Sequence, residues 1–266
     1  MSVNIKTEEE IKIMKEGGQI LARIMQELEN VVKPGITTKE LDRLAESLIL
    51  RAGGTCSFKG YKDKDFTAIP FPACLCTSIN EEIVHVAPSD RILKQGDIIS
   101  LDLGMYYKGY HSDMAITLPV TKTGGGSPSA HFNPEALRII RVTKKALKMG
   151  IKKVRPGNTF GDIGNTIQRY VESQGFNVVR DLCGHGIGKE LHEDPKILNY
   201  GKRHSGEEIK EGMVFCLEPM VTMGGWRIKR TKNGFGYETQ DGSLSAHFEH
   251  MVAVTKNGCD VLTDLR

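Results

Sequence analysis

The sequence predicts an α/β chain in which one unit occurs twice, and three observations carry that reading. Leu93 to Asp102 (LKQGDIISLD) and Ile209 to Glu218 (IKEGMVFCLE) each run from an apolar residue through Lys and Gly into an apolar strand that closes on Leu and a carboxylate. Val32 to Thr37 (VKPGIT) and Val154 to Thr159 (VRPGNT) place the same Pro-Gly turn earlier in each unit. Helical apolar spacing lies on both sides of each Pro-Gly, so each half reads helix, turn, helix, strands.

Taken in order, the spacing predicts helices over about 8–31 and 38–52 in the first half, and about 134–153 and 160–174 in the second. Thr37 or Thr38, and Thr159, follow the Pro-Gly turns as helix N-caps. Between the halves, residues 122–133 (KTGGGSPSAHFN) form a Gly, Ser and Pro-rich stretch, read as a partner-contacting loop or a tolerated insertion. At 266 residues the chain suits one domain, 1–266, with half-repeats at about 7–121 and 134–262.

Composition narrows the class. The chain is 39% hydrophobic and 26% charged, with a mean hydropathy of −0.29 and no apolar run able to cross a bilayer, so a soluble globular protein is expected. Its first residues (MSVNIKTEEEIKIMK) alternate charge and hydrophobe and lack a signal-peptide core, so export is not expected. Six cysteines, at 56, 74, 76, 183, 216 and 259, show no CxxC pair; read as reduced thiols, they point to the cytoplasm. A net charge of +3 is too small for a nucleic-acid module. GxSxG, HExxH and Walker patterns are absent.

The acids carry the chemistry. In Ile98 to Leu118 (IISLDLGMYYKGYHSDMAITL) two apolar runs flank Lys108-Gly109, which suits a two-residue hairpin turn. That turn sets Tyr107 against Tyr110, Gly104 against Asp113 and Asp102 against Ala115. Asp102 and Asp113 then become diagonal neighbours on one face, about 7 to 8 Å apart at the backbone. The second half supplies Glu218 at the end of MVFCLE and Glu249 within AHFEHMVAVT. Four acids in apolar strand contexts repel one another and lose hydration unless they are protonated or neutralised by cations. A pair of divalent ions cancels about that much charge. His185, flanked by glycines in CGHGIG, is the best nitrogen ligand, with His247 and His250 as rivals.

These residues, with SINEEIVHVAP (Ser78 to Pro88), HSDMA, GHGIG, LEPMV and LSAHFEH, closely resemble type I methionine aminopeptidases over about Thr7 to Leu262. The resemblance implies a pita-bread fold: two pseudo-two-fold halves with an antiparallel sheet covered by helices. It implies that Asp113 and Glu249 bridge two divalent ions (Co, Mn, Fe or Zn), His185 and Glu218 complete one, and Asp102 chelates the other. No cysteine aligns with a ligand position. Glu218 would also move protons, His85 and His192 would contact the peptide, and Phe71, Cys76 and Phe235 would form the methionine pocket.

The implied substrate is the initiator methionine of nascent polypeptides with a small second residue, which the chain's own Met1-Ser2 fits. A cytoplasmic monomer is expected, with no membrane contact. Within Pro219 to Tyr237, Arg227, Lys229, Arg230 and Lys232 suit docking on the ribosome, although a solvated basic loop would look the same. The sequence departs from the family at Val86 (HVAP for HGxP), Ser112 (HSD for HGD), Ala68 and Phe235, which bears on pocket shape and second-residue tolerance. Proline-specific relatives usually carry an added N-terminal domain, for which this chain has no room, and non-catalytic relatives are expected to have lost ligands.

Overall fold

Thr7 begins the first helix by a reciprocal cap: its hydroxyl accepts from the Glu10 N–H at 3.2 Å, and its own N–H donates to Glu10 Oε2 at 2.9 Å. In the computed structural model, which describes residues 3–62, 69–122 and 132–265, this helix is α1 (Glu8–Val31), followed by α2 (Thr38–Arg51), α3 (Pro134–Ile151) and α4 (Phe160–Ser173). Thr37, not Thr38, caps α2 in the same manner with Glu40, and Thr159 bonds Asp162 Oδ2 at the start of α4. The last three helices end one or two residues earlier than apolar spacing predicts, because the C-cap residues still donate to helical carbonyls without continuing the turn.

One nine-stranded sheet runs through both halves. Its centre is the hairpin Ile98–Tyr107 and Tyr110–Pro119, with Tyr107 opposite Tyr110, Gly104 opposite Asp113 and Asp102 opposite Ala115, the register that a Lys108-Gly109 turn requires. Both turn residues have positive φ, 48° and 93°, as a type I′ turn demands. Glu249–Thr255 joins the hairpin antiparallel with Glu249 against Ala115, and Val214–Leu217 and then Gly184–Gly186 continue the sheet. On the other side, Leu75–Ile79 sets Cys76 against Asp102. Cys76, Asp102, Ala115 and Glu249 therefore form one row across four strands.

Alternation along these strands sorts the two faces. Ile99, Leu101 and Leu103 pack with Leu21, Leu28 and Leu41 of α1 and α2, while Phe215, Leu217 and Val252 pack with Ile139, Ile163 and Ile167 of α3 and α4. The carboxylates, one residue out of phase, are turned to the opposite face.

The expectation of six reduced thiols is corrected: Cys56 and Cys74 form a disulfide, with Cα atoms 5.1 Å apart. Cys56 pairs with Met105, and Cys74 precedes Leu75, which pairs with Leu103, so the two arrive at the same edge of one strand. Nothing in their spacing of 18 residues reveals this. Cysteine usage therefore no longer argues for a compartment. Ala68 and residues 123–131 of the inter-half stretch lie outside the described residues. Among those described, no helix is long and apolar enough to cross a membrane.

Candidate metal centre and its cleft

The sheet face away from the helices forms the floor of a cleft of about 660 Å³. Asp102, Asp113 and Glu249 are buried there, each offering an oxygen within 4.8 Å of the others. Asp113 Oδ1 and Glu249 Oε1 have no hydrogen-bond partner among the described residues. Such orphaned buried oxygens call for a missing cationic or donor partner. Burial pushes the Asp102 carboxyl up to about 7. Burial first, then the neighbouring carboxylates, pushes Asp113, Glu218 and Glu249 well above the usual range.

His185 reaches the floor because its neighbours are glycines. A Cβ on Gly184 would collide with the Cys216 carbonyl oxygen, and one on Gly186 with that of Asp194. His185 Nδ1 lies 2.9 Å from the Gly186 carbonyl, an acceptor only, so Nδ1 carries the proton and Nε2 keeps its lone pair. Nε2 is 3.6 Å from Glu218 Oε1, and burial pushes the imidazole down to about 4. Oxygen donors of three converging carboxylates, two of them orphaned, beside a neutral imidazole lone pair fit divalent cations of hard to borderline type.

The rival histidines separate. His250 Nδ1 meets Thr263 Oγ1 at 2.9 Å, on the other side of the strand. His247 is buried with Nε2 3.8 Å from Glu218 Oε2, and neither ring nitrogen has a hydrogen-bond partner among the described residues. A thiol that the sequence reading did not single out also lies near the floor. Cys216 Sγ lies within 4.8 Å of donor atoms of His185 and Glu249, although burial holds its thiol well above the usual value and so protonated.

Above the floor the structure brings His85, His192, Phe71 and Phe235 into the same cleft, which Cys76 lines from the floor row itself. Phe71 and Phe235 meet edge to face, 5.7 Å between centroids. His85, held at φ 60°, turns its ring against Tyr237. His192 is exposed to the cleft, yet its ring packs 4.4 Å from that of His185. Loss of solvent around the ring is the main cause that lowers its pKa, and His185, then His85 and His111, add to it. Tyr61, which the sequence did not flag, meets His192 Nδ1 through its hydroxyl at 2.6 Å. A single Tyr in an irregular polar stretch carries no periodic signal.

Two departures lie away from the cleft. Val86 packs on Gly236 and Ser112 on Gly17, and neither lines the cavity, so their bulk is not presented to a substrate. The basic segment is a hairpin, Ile228–Arg230 against Tyr237–Thr239, with Arg227, Lys229, Arg230 and Lys232 all exposed. Lys229 is partly neutralised by Glu238 at 3.3 Å.

The chain belongs to metallopeptidase family M24, whose model matches residues 12–256. It is 45% identical over 260 residues to a methionine aminopeptidase of Clostridium acetobutylicum, covering 97% of this chain and 98% of that protein. The crystal structure of a methionine aminopeptidase from Thermotoga maritima superposes with a TM-score of 0.91 at 38% identity, over 99% of this chain and 100% of that one. A prolidase from Pyrococcus furiosus, 23% identical with a TM-score of 0.75, shares the fold alone and is covered to 66% of its length, against 98% of this chain. Within M24 the chain falls among the methionine aminopeptidases, and its α/β architecture is the pita-bread fold.

Proposed function

We propose that this chain removes the initiator methionine from nascent polypeptides by hydrolysis at a dinuclear metal centre, preferring a small second residue. The observation that carries the reading is the convergence of Asp102, Asp113 and Glu249 beside the Nε2 lone pair of His185, on the floor of a cleft walled by Phe71, Cys76 and Phe235. Residues 1–266 act as one catalytic domain, with half-repeats at about 7–121 and 134–262 each supplying two of the four acids. Asp113 and Glu249 would serve both ions, Asp102 one of them, and His185 with Glu218 the other.

When bound, two ions of Mn²⁺, Fe²⁺, Co²⁺ or Zn²⁺ supply Lewis acidity and lower the pKa of water enough for attack near neutral pH. The remaining work falls to the chain. Phe71, Cys76 and Phe235 give a thioether apolar and sulfur contacts. His85 and His192 hydrogen-bond the peptide and hold its scissile carbonyl over the floor. The Tyr61 hydroxyl fixes the orientation of His192. The Glu218 carboxylate accepts a proton during attack and returns it to the leaving amine.

A peptide panel tests this. Met-Ala-Ser and Met-Ser peptides are expected to be cleaved, Met-Glu and Met-Arg peptides spared, and a chelator should abolish turnover. Equal rates on all four would refute the second-residue preference, and chelator-resistant turnover the metal centre.

For partners and place, we assign a monomer working in the cytoplasm, where initiator methionines are exposed. Its basic hairpin is assigned to ribosomal RNA through phosphate contacts of Arg227, Arg230 and Lys232, with Lys229 contributing less because of Glu238. Cosedimentation with ribosomes at rising salt checks the assignment. A variant with all four residues changed to Ala that cosediments like the parent at every salt would remove it.

A further inference from the structure

His247 is a buried imidazole with both ring nitrogens unmatched among the described residues. Its place is not of its own choosing. The Thr117 hydroxyl, on the central hairpin, accepts from the His247 backbone N–H at 2.8 Å and donates to the His247 carbonyl at 2.7 Å, locking that residue to the sheet. The ring so placed puts Nε2 3.8 Å from Glu218 Oε2. On the other side of the same carboxylate, His185 Nε2 lies 3.6 Å from Oε1. The backbone of Glu218 is itself tied, its carbonyl accepting from Asn199 Nδ2 at 3.0 Å. Glu218 thus stands between two imidazoles with one oxygen toward each.

The two imidazoles differ in what they can offer. His185 has committed its proton to the Gly186 carbonyl, so its Nε2 is a lone pair and repels an ionised oxygen unless a cation lies between them. His247 has no such commitment among the described residues, so its single proton is available at Nε2. A carboxylate that gives one oxygen to a cation still needs a donor for the other, and a partner of that kind orients the ligand.

We propose that His247 is the positioning residue for Glu218: its Nε2–H donates to Glu218 Oε2 and leaves Oε1 for the ion shared with His185. The inference rests on the metal centre proposed above. It also accounts for the unmatched ring, since the donor acquires its acceptor as Glu218 takes up the ligating orientation.

Titration of the metal-free chain with Mn²⁺, following the free ion by electron paramagnetic resonance, tests it with His247→Leu, His247→Asn and His247→Gln. Leu fills the space without a donor, the Asn amide falls short at the Nδ1 position, and the Gln amide reaches the Nε2 position. Leu and Asn should weaken one of the two Mn²⁺ ions by about 10- to 100-fold, the range for a lost outer-shell partner, while Gln should stay within about 3-fold of the parent. Melting of the metal-free protein is the second readout. The Leu variant should melt no lower than the parent, because it removes unmatched polar atoms from a buried site.

Should the Leu variant fail to fold, the Asn and Gln pair still decides. Two ions retained at parental affinity in Leu or Asn would overturn the proposal, and so would a loss in Gln as large as in Asn. A parent that binds no Mn²⁺ would instead sink the metal centre itself, which separates the two failures.

Discussion

Cys76, Asp102, Ala115 and Glu249 cross four adjacent strands and are all buried, whereas His85 and His192, which overlook them, are exposed, one just after a short strand and one just before another. The floor is held by backbone ladders whose register is shared with the core. A slip of one residue there would turn every carboxylate into the helix-covered face and every leucine out of it. The rim is held by side chains: a Tyr61 hydroxyl, a Tyr237 ring, and the edge-to-face pair of Phe71 and Phe235. Changes in the floor should therefore act all or none through the metal, and changes in the rim by degrees through the substrate.

The largest expected effect is in the floor. Asp113→Asn or Glu249→Gln removes a charge where burial already disfavours it, and both metal content and activity should be lost, as read by elemental analysis beside kinetics. Normal metal content with normal turnover would remove these two from the centre. Next come His85→Ala and His192→Ala, which should keep the metal while kcat/KM falls by about 10² to 10⁴, the range for a positioned acid-base or polar group. Metal loss in either would erase the distinction between floor and rim. Tyr61→Phe should be milder. One hydrogen bond to an exposed imidazole is worth about 0.5 to 1.5 kcal/mol, so kcat/KM should fall by about 10-fold or less, with metal unchanged. A drop as deep as that of His192→Ala would give the Tyr61 hydroxyl a part in the chemistry itself.

The smallest change is one of slope. In the metal-free chain the Asp102 carboxyl is raised to about 7, and Asp113, Glu218 and Glu249 are raised further in the same direction. Between about pH 4 and those raised values the folded chain holds protons that the unfolded chain has released, so stability falls as pH rises. Melting temperature after chelation should decline from about pH 7 to pH 8, above the range in which unfolded histidines still hold protons. With Mn²⁺ present the slope should reverse, because ligation needs the carboxylates ionised. A flat profile without metal would mean that the floor carboxylates are not buried together. Below about pH 6.5 the imidazoles of His111, His185, His192 and His247 oppose this slope, because unfolded histidines hold protons there that the folded ones do not.

The same division explains what could be read in advance. Two turn residues, Lys108 and Gly109, fix the register of the hairpin, and from it the approach of Asp102 to Asp113 follows by counting. The glycines around His185 signal a close backbone approach, which the Cys216 and Asp194 carbonyls supply. Apolar spacing gives the four helices and overruns three of them by only one or two residues. Tyr61 against His192, Cys216 beneath Glu249, Glu238 on Lys229 and the Cys56–Cys74 link were not legible. Each joins side chains whose meeting depends on how separate segments are stacked, and no periodicity or turn chemistry encodes that. Val86 shows the reverse error: nearness to His85 in sequence suggested nearness to the substrate, but its side chain turns behind the wall onto Gly236.

The Cys56–Cys74 link encloses the segment that brings Phe58, Tyr61 and Phe71 to the cleft. Within it, the Phe71 N–H donates to the Tyr61 carbonyl and the Gly60 N–H to the Phe71 carbonyl, both at 2.8 Å, so Tyr61 and Phe71 face each other across a narrow neck. Tyr61 and Phe71 are thus tied to each other at the backbone, and through the disulfide to the strands beside Asp102, since Cys56 lies against Met105 and Cys74 leads into Leu75. The oxidation state of two cysteines becomes in this way a setting of the aromatic wall: a reduced chain would hold that wall by hydrogen bonds and packing alone.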